Sequence, residues 1–230
     1  MTEPPVPLSA KNPAAVFTQR WPMGSGVGLL VLHGVRLMGV ADEERVAGRF
    51  GLEQGVTAEL LLDFQAFGWV GWSEFAGSGG WSLTDAGRVE NERQLAEELD
   101  RVGGREVIQE VYRGFLPLNE RLQRICTDWQ IRPTATDALA FNDHSDPDWD
   151  RRVIDELSTV AEMLRAVSAR IGAVLDRLQG YDARFAAALD RVRAGEASWV
   201  DRTGVDSCHT VWFELHEDFI ATLGLTRATG

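Results

Sequence analysis

Two of the four histidines, His144 and His216, sit beside carboxylates, and with His209 they are the residues of the chain best suited to acid–base chemistry. His144 lies in Asn142-Asp-His-Ser-Asp-Pro147, between Asp143 and Asp146. His209 and His216 stand seven residues apart, two turns along one helical face, with Cys208 and Glu217 adjacent. An imidazole oriented by a carboxylate can relay a proton or ligate a metal. The spacing is not the four-residue separation of a helical zinc pair, so it assigns no metal. An Asx turn around His144 and a satisfied buried histidine further on explain the same residues without chemistry. The catalytic candidates are therefore His144, Asp146, His209, His216 and Glu217, on the condition that they converge. No cofactor is implied.

A second constellation is aromatic. Trp69, Trp72, Phe75 and Trp81 place four large rings within thirteen residues. Strand alternation puts Trp69 and Gly71 on one face and Val70 and Trp72 on the other, so some rings must meet another domain or a ligand. Packing between domains is one outcome, and a pocket for a hydrophobic small molecule is the other.

These residues need elements to position them. Leu60, Leu61, Phe64 and Phe67 follow the three-and-four spacing of a buried helical stripe that Gly68 terminates. Trp69-Val-Gly-Trp72 and Gly80-Trp-Ser-Leu83 flank the permissive turn Ala76-Gly-Ser-Gly79, which predicts a β-hairpin. Thr84 is the expected N-cap of the next helix, running to Arg101. Upstream, Val27 to Met38 reads as a helix that buries Leu29, Leu30, Leu32 and Val35. Asp42 to Phe50 opens on acidic residues, as helix N-termini favour, and closes on Gly51. Helix-turn-helix followed by a hairpin is the outline of a winged helix.

The wording resembles the winged helix of MarR-type regulators. In that family the recognition helix commonly ends in Leu-Leu-x-x-Leu-x-x-x-Gly-Leu-Val, and Leu60-Leu61-x-x-Phe64-x-x-x-Gly68-Trp69-Val70 is similar. The strand leaving the wing commonly reads aromatic-x-Leu-Thr-x-x-Gly-Arg, and Trp81-Ser-Leu-Thr-Asp-Ala-Gly-Arg88 matches throughout. The resemblance covers about a third of the chain and implies DNA recognition, with Arg45, Arg49 and Arg88 toward phosphate and Gln54, Thr57 and Ser73 as neutral hydrogen-bonding groups. The chain departs from the family in one respect. No Arg or Lys occurs from Gly51 to Gly87, and the positions that usually carry base-reading cations are Glu59, Asp63 and Phe67.

Composition bears on the same question. The 230 residues are 44% hydrophobic and 25% charged, which suits two globular domains. Basic residues number 23 against 35 acidic ones, a formal charge of −12. That balance opposes nucleic-acid binding, because contacts to phosphate and counterion release supply most of the non-specific affinity. Cys126 and Cys208 are too few for a disulfide framework or closed zinc site and fit a reducing compartment. The start of the chain lacks the basic-then-apolar order of a signal peptide, and its prolines predict a loose arm over residues 1–24. No run is long enough to span a membrane, so a soluble, cytoplasmic protein with no membrane partner is expected.

Past Gly103-Gly104, a hinge and predicted domain boundary, the pattern is helical. Glu106 to Phe115 and Pro117 to Ile131 read as two helices, then a loop to Pro147, then one long helix from Asp150 to Leu178. Along the latter, Val153, Leu157, Val160, Leu164, Val167, Ile171, Val174 and Leu178 alternate steps of four and three. The stripe is the spine of an intramolecular bundle or the seam of a homodimer. Tyr181 to Arg193 and Ser207 to Leu223 complete the set.

Phe115-Leu-Pro-Leu-Asn-Glu-Arg-Leu-Gln-Arg-Ile-Cys-Thr-Asp-Trp-Gln-Ile-Arg132, Asn142 to Pro147 and His209 to Asp218 resemble the region that follows the catalytic domains of actinobacterial pyruvate phosphate dikinase-like proteins. The resemblance implies a module found beside phosphotransfer enzymes and carries over no catalytic residue.

The expected fold is mainly α: a winged helix-turn-helix with a small β-hairpin wing over residues 25–102 and an α-helical bundle over residues 105–226. The leading expectation is a MarR-like, ligand-responsive regulator that binds DNA, senses a small molecule or dimerises through its helical part. The competing expectation is an adaptor or small-molecule-binding protein that has lost DNA recognition and acts with a dikinase-like enzyme. A third is a small enzyme built on the His and Glu candidates.

Overall fold

The computed structural model describes residues 24–75 and 78–225, without the side chains of Phe75 and Ser78. The arm expected over residues 1–24 therefore lies, but for Gly24, outside the described residues. The fold is mainly helical, with eight α-helices and one two-stranded antiparallel hairpin among the described residues. The chain divides into two compact units, Met1–Asn91 and Glu92–Gly230.

In the first unit, α1 (Val27–Met38), α2 (Glu43–Phe50) and α3 (Gln54–Ala66) precede the hairpin β1 (Val70–Phe75) and β2 (Ser78–Leu83). Each boundary has a local cause. The Asp42 carboxylate accepts the Arg45 amide at 2.9 Å and caps α2, whose end is Gly51 in the left-handed region at φ 63°. The Glu53 carboxylate accepts the amides of Gly55 and Val56 and caps α3. Gly68, at φ 73°, turns the chain into β1. The core gathers Val31, Leu32, Val35, Val46, Leu60, Leu61, Phe64, Val70 and Trp81.

The hairpin register pairs Val70 with Leu83 and Trp72 with Trp81. Trp81 directs its amide and carbonyl outward to Ala41, at 2.8 and 3.1 Å, so Ala41 extends the hairpin by one bridge. Trp72 and Trp81 therefore form a close, non-hydrogen-bonded cross-strand pair, with ring centroids 5.2 Å apart edge to face. Thr84 then closes the hairpin onto α4 (Asp85–Val102): its hydroxyl donates to the Gly68 carbonyl at 2.6 Å and accepts the Gly87 amide at 3.0 Å.

The second unit is a helical bundle of α5 (Arg105–Gln130), α6 (Pro147–Gly172), α7 (Tyr181–Arg193) and α8 (Cys208–Leu223). Helix α5 packs on α6 and α8, and α7 packs on α6 and α8. Gly103, at φ 64°, separates α4 from α5.

Two helix expectations are corrected. The pair predicted on either side of Leu116 is one helix, α5, with Pro117 inside it. Proline removes one amide and frees the carbonyl of Arg113, but Arg113, Gly114, Leu116 and Pro117 are all exposed, so water can take that carbonyl while Phe115 and Leu122 stay buried. The helix predicted from Asp150 to Leu178 ends at Gly172. Gln179 folds back there, donating to the Gly172 carbonyl at 3.0 Å, and a Cβ at position 172 would stand 2.6 Å from its Cγ. Val174 and Leu178 thus lie beyond the helix, with Leu178 in a short 3-10 turn. The stripe from Val153 to Ile171 is spent on this unit's own core, the intramolecular alternative rather than a dimer seam.

Candidate functional site

The histidine candidates are held by different neighbours. His144 adopts φ 57°, the one non-glycine residue with positive φ among those described. Its amide donates to the Asn142 side-chain oxygen at 3.1 Å, and its Nδ1 lies 3.0 Å from Asp150 Oδ2. The carboxylate that orients it is therefore Asp150, not Asp143 or Asp146. Asn142 donates to the Trp129 carbonyl at 3.0 Å and to Asp150 at 2.9 Å, and the imidazole lies 4.5 Å from the Trp129 indole. This is a latch between the loop, the end of α5 and the start of α6. Asp146 caps α6 by accepting the amides of Asp148 and Trp149, both at 3.1 Å, and pairs with Arg132. The Trp149 amide bond is the main reason its carboxyl stays below the usual range, and Asp148 and Arg132 add to it.

On α8, His209 is exposed with its ring 6.5 Å from Phe213. His216 is half-buried, its Nε2 3.5 Å from the Tyr112 hydroxyl and its ring 5.5 Å from that of Phe115. Glu217 is buried. Helical spacing aligns the two histidines, but the first turn of α8 leaves His209 in solvent while the packing against α5 takes in His216. Among the described residues, no group of three or more His, Cys, Asp or Glu is arranged to hold a metal ion.

Nothing in the sequence marks the buried polar cluster of this unit. Arg177 is fully buried and donates from Nε to Glu98 at 2.7 Å, from one Nη to Asp218 at 2.5 Å and from the other to Thr222 at 2.9 Å. Tyr181 donates to the second Asp218 oxygen at 2.8 Å. Burial alone would lower the guanidinium pKa; Asp218 and Glu98 outweigh it and raise it. Arg177 had no periodicity to mark it, since its partners come from residues distant in the chain. Such a buried network orders a core, and its charged side chains are withdrawn from solvent rather than turned to a substrate. A shallow groove of about 390 Å³ between α5 and α6 is lined by Asp128, Trp149, Arg152, Asp155 and Glu156 over Ile125 and Val153. Arg152 already covers the Trp149 ring, at 4.6 Å.

The aromatic residues in and beside the hairpin pack on one another. Trp69 rests on Phe64 and Phe67, with centroids 5.4 and 5.0 Å away, and Trp81 is buried. Trp72 is 45% exposed and lies across Gly79, where a Cβ would meet its ring at 2.3 Å. The Phe75 side chain lies outside the described residues. These contacts account for Trp69 and Trp81 as core and leave Trp72 as the accessible ring among the described ones.

The DNA-contact candidates scatter by burial. Arg45, Gln54, Ser73 and Arg88 are exposed. Arg49 is half-buried with its guanidinium 4.6 Å from the Phe50 centroid. Thr57 is wholly buried, its hydroxyl donated to the Glu53 carbonyl at 3.0 Å, so it offers nothing to a nucleic acid.

The outward face of α3 carries the clearest chemical signature. Thr57, Leu60, Leu61 and Phe64 face the core. Val56, Glu59, Leu62, Asp63, Ala66 and Phe67 are exposed and fall on one arc of the opposite side. Leu62 is 59% exposed, Phe67 46% and Val56 40%. The face is apolar and acidic, without a cation. The acidity of this face is legible in the sequence, but Phe67, expected on the buried stripe with Leu60, Leu61 and Phe64, lies past the end of α3 and remains in solvent, as does Leu62. No protein-family profile, curated protein or solved structure matches the chain.

Proposed function

We propose that this protein is a partner-binding adaptor in which a winged-helix-like N-terminal unit has given up DNA reading. The element order α1-α2-α3-β1-β2-α4 supports the winged-helix outline, as do the places of Gly68, Thr84 and Gly87 in the motifs similar to MarR-type proteins. One observation carries the adaptor reading: the outward face of α3, which a DNA reader would insert into the major groove, presents Glu59 and Asp63 among exposed apolar side chains. A carboxylate can accept from cytosine, but a surface with two carboxylates and no cation is repelled by the phosphates flanking every base.

The helical unit is the natural place for association with a dikinase-like phosphotransfer enzyme. The segments that resemble such proteins supply Phe115, Trp129, Asn142, Trp212 and Asp218 to its core, latch and buried network. The regulator reading rests on element order and those motifs, and the outward face of α3 carries no cation to support it.

The deciding experiment is fluorescence anisotropy with labelled duplexes, one of random sequence and one from upstream of the protein's own coding region, at low ionic strength. No binding is expected. Salt-dependent binding that disappears in Arg45→Ala/Arg88→Ala would overturn the adaptor reading in favour of a regulator.

A further inference from the structure

Resting on that reading, we infer that the exposed face of α3 docks a protein segment whose apolar side chains are flanked by arginine or lysine. Three features of the face select this occupant. Leu62, Ala66, Val56 and Phe67 supply an apolar strip, with three of the four being large side chains at least 40% exposed. Such a strip gains by excluding water when covered. Glu59 and Asp63 sit one turn apart within the strip, so both carboxylates accompany any docked apolar side chain.

The third feature is that this arrangement disfavours the helix itself. Like charges at i and i+4 repel, and α3 has no basic residue in its last turn to complement the helix dipole. The stretch Gly51 to Gly87 offers no cation to relieve them. Local stability is thus lower than a single Lys at position 59 or 63 would give, which suits a surface whose charge is used by a partner.

Charge complementarity then discriminates among occupants. A second copy of this chain would bring the same two carboxylates against themselves in a two-fold contact. Nucleic acid and anionic lipid surfaces are repelled for the same reason. An amphipathic segment with leucine-like side chains at helical spacing and flanking cations meets both the strip and the carboxylates.

The test uses the full chain and a pair of synthetic helical peptides, one of leucine and lysine and one of leucine and glutamate in the same order. Hydrogen exchange reports where each binds. The lysine peptide is expected to protect the amides of Gln54–Ala66, with affinity falling at least tenfold from low salt to 0.5 M salt, about the range in which exposed charges are screened. The exposed double variant Glu59→Lys/Asp63→Lys is expected to lose the lysine peptide by tenfold or more and to acquire the glutamate peptide. Leu62→Ser, which keeps both carboxylates, should weaken the lysine peptide severalfold. Circular dichroism of each variant separates these effects from misfolding. Protection outside α3, no binding by the lysine peptide, or binding indifferent to the charge reversal would overturn the inference. The duplex titration above tests the adaptor reading separately: DNA binding with no peptide docking sinks both, whereas neither DNA nor peptide binding sinks only the docking surface.

Discussion

The Arg177 guanidinium lies 2.5 Å from Asp218, and both side chains are completely withdrawn from solvent. With Glu98, which is also buried, the cluster holds one cation and two carboxylates. Asp218 accepts from Arg177, Tyr181 and Thr222, whereas one oxygen of Glu98 has no hydrogen-bond donor and only Arg101 at 3.9 Å. The two acids therefore contribute unequally. Arg177→Met, which leaves two buried carboxylates without a cation, is expected to destabilise the second unit by about 3–5 kcal/mol in denaturant unfolding. Glu98→Gln should be the mildest change of the three and Asp218→Asn intermediate. The reverse order of Glu98 and Asp218 would contradict this account.

Cys126 and Cys208 are free and buried, and burial chiefly pushes each thiol up to about 12, with Asp201 adding for Cys126 and Cys126 adding for Cys208. Both should resist iodoacetamide in the native protein at pH 8 and react once it is unfolded. The folded pKa lies above the ordinary value of 9.0, so the folded state holds more protons between the two. This contribution to stability is full below about pH 9 and is lost as pH rises toward about 12. Thermal melts across that range should show a progressive fall, diminished in Cys126→Ala/Cys208→Ala.

Gly87 approaches the backbone so closely that an added Cβ would stand 1.8 Å from the Trp69 carbonyl oxygen. Gly87→Ala must push apart the start of α4 and the hairpin. It is expected to cost about 3 kcal/mol or more, at the upper end of overpacking, and to broaden the resonances of Trp69 and Thr84 in NMR spectra.

Asp146 acts as a helix cap, which predicts a particular pattern of substitution. Asp146→Asn keeps an oxygen for the Asp148 and Trp149 amides and should preserve their hydrogen-exchange protection, whereas Asp146→Ala should abolish it. Its depressed pKa means that the charged form's contribution is present above the ordinary 3.8 and lost as pH falls through the lower folded value. The protection of those amides, taken relative to intrinsic exchange at each pH, should therefore fall in acid for the native protein and change little in the Asn variant.

Asp63→Lys replaces a like-charge pair with a Glu59–Lys pair at i and i+4. The gain is expected to be roughly 0.5–1 kcal/mol in the first unit's stability, combining relief of one term and acquisition of the other. A loss of stability would show that Asp63 makes a contact stronger than the repulsion inferred from its position.

The sequence by itself determined the elements whose causes are local. The bounds of α1, α2 and α7 follow from apolar periodicity and from Gly39, Asp42, Gly51 and Gly180. The hairpin, its Gly68 turn and the Thr84 cap were equally legible, because each depends on residues within a few positions. The acidity of α3 could also be read directly. Tertiary structure alone decided whatever depends on a neighbour distant in the chain. Pro117 continues a helix because its side of α5 is wet, and α6 stops at Gly172 because Gln179 and the burial of Arg177 draw the chain away. His144 is matched to Asp150 instead of its immediate acidic neighbours because Asn142 and Trp129 fix the loop. Burial divided His209 from His216 and Thr57 from its expected role, and left Leu62 and Phe67 in water. Periodicity shows which residues share a face, but what covers that face is set by packing, and on α3 the exposed face is the one that carries the function proposed for the protein.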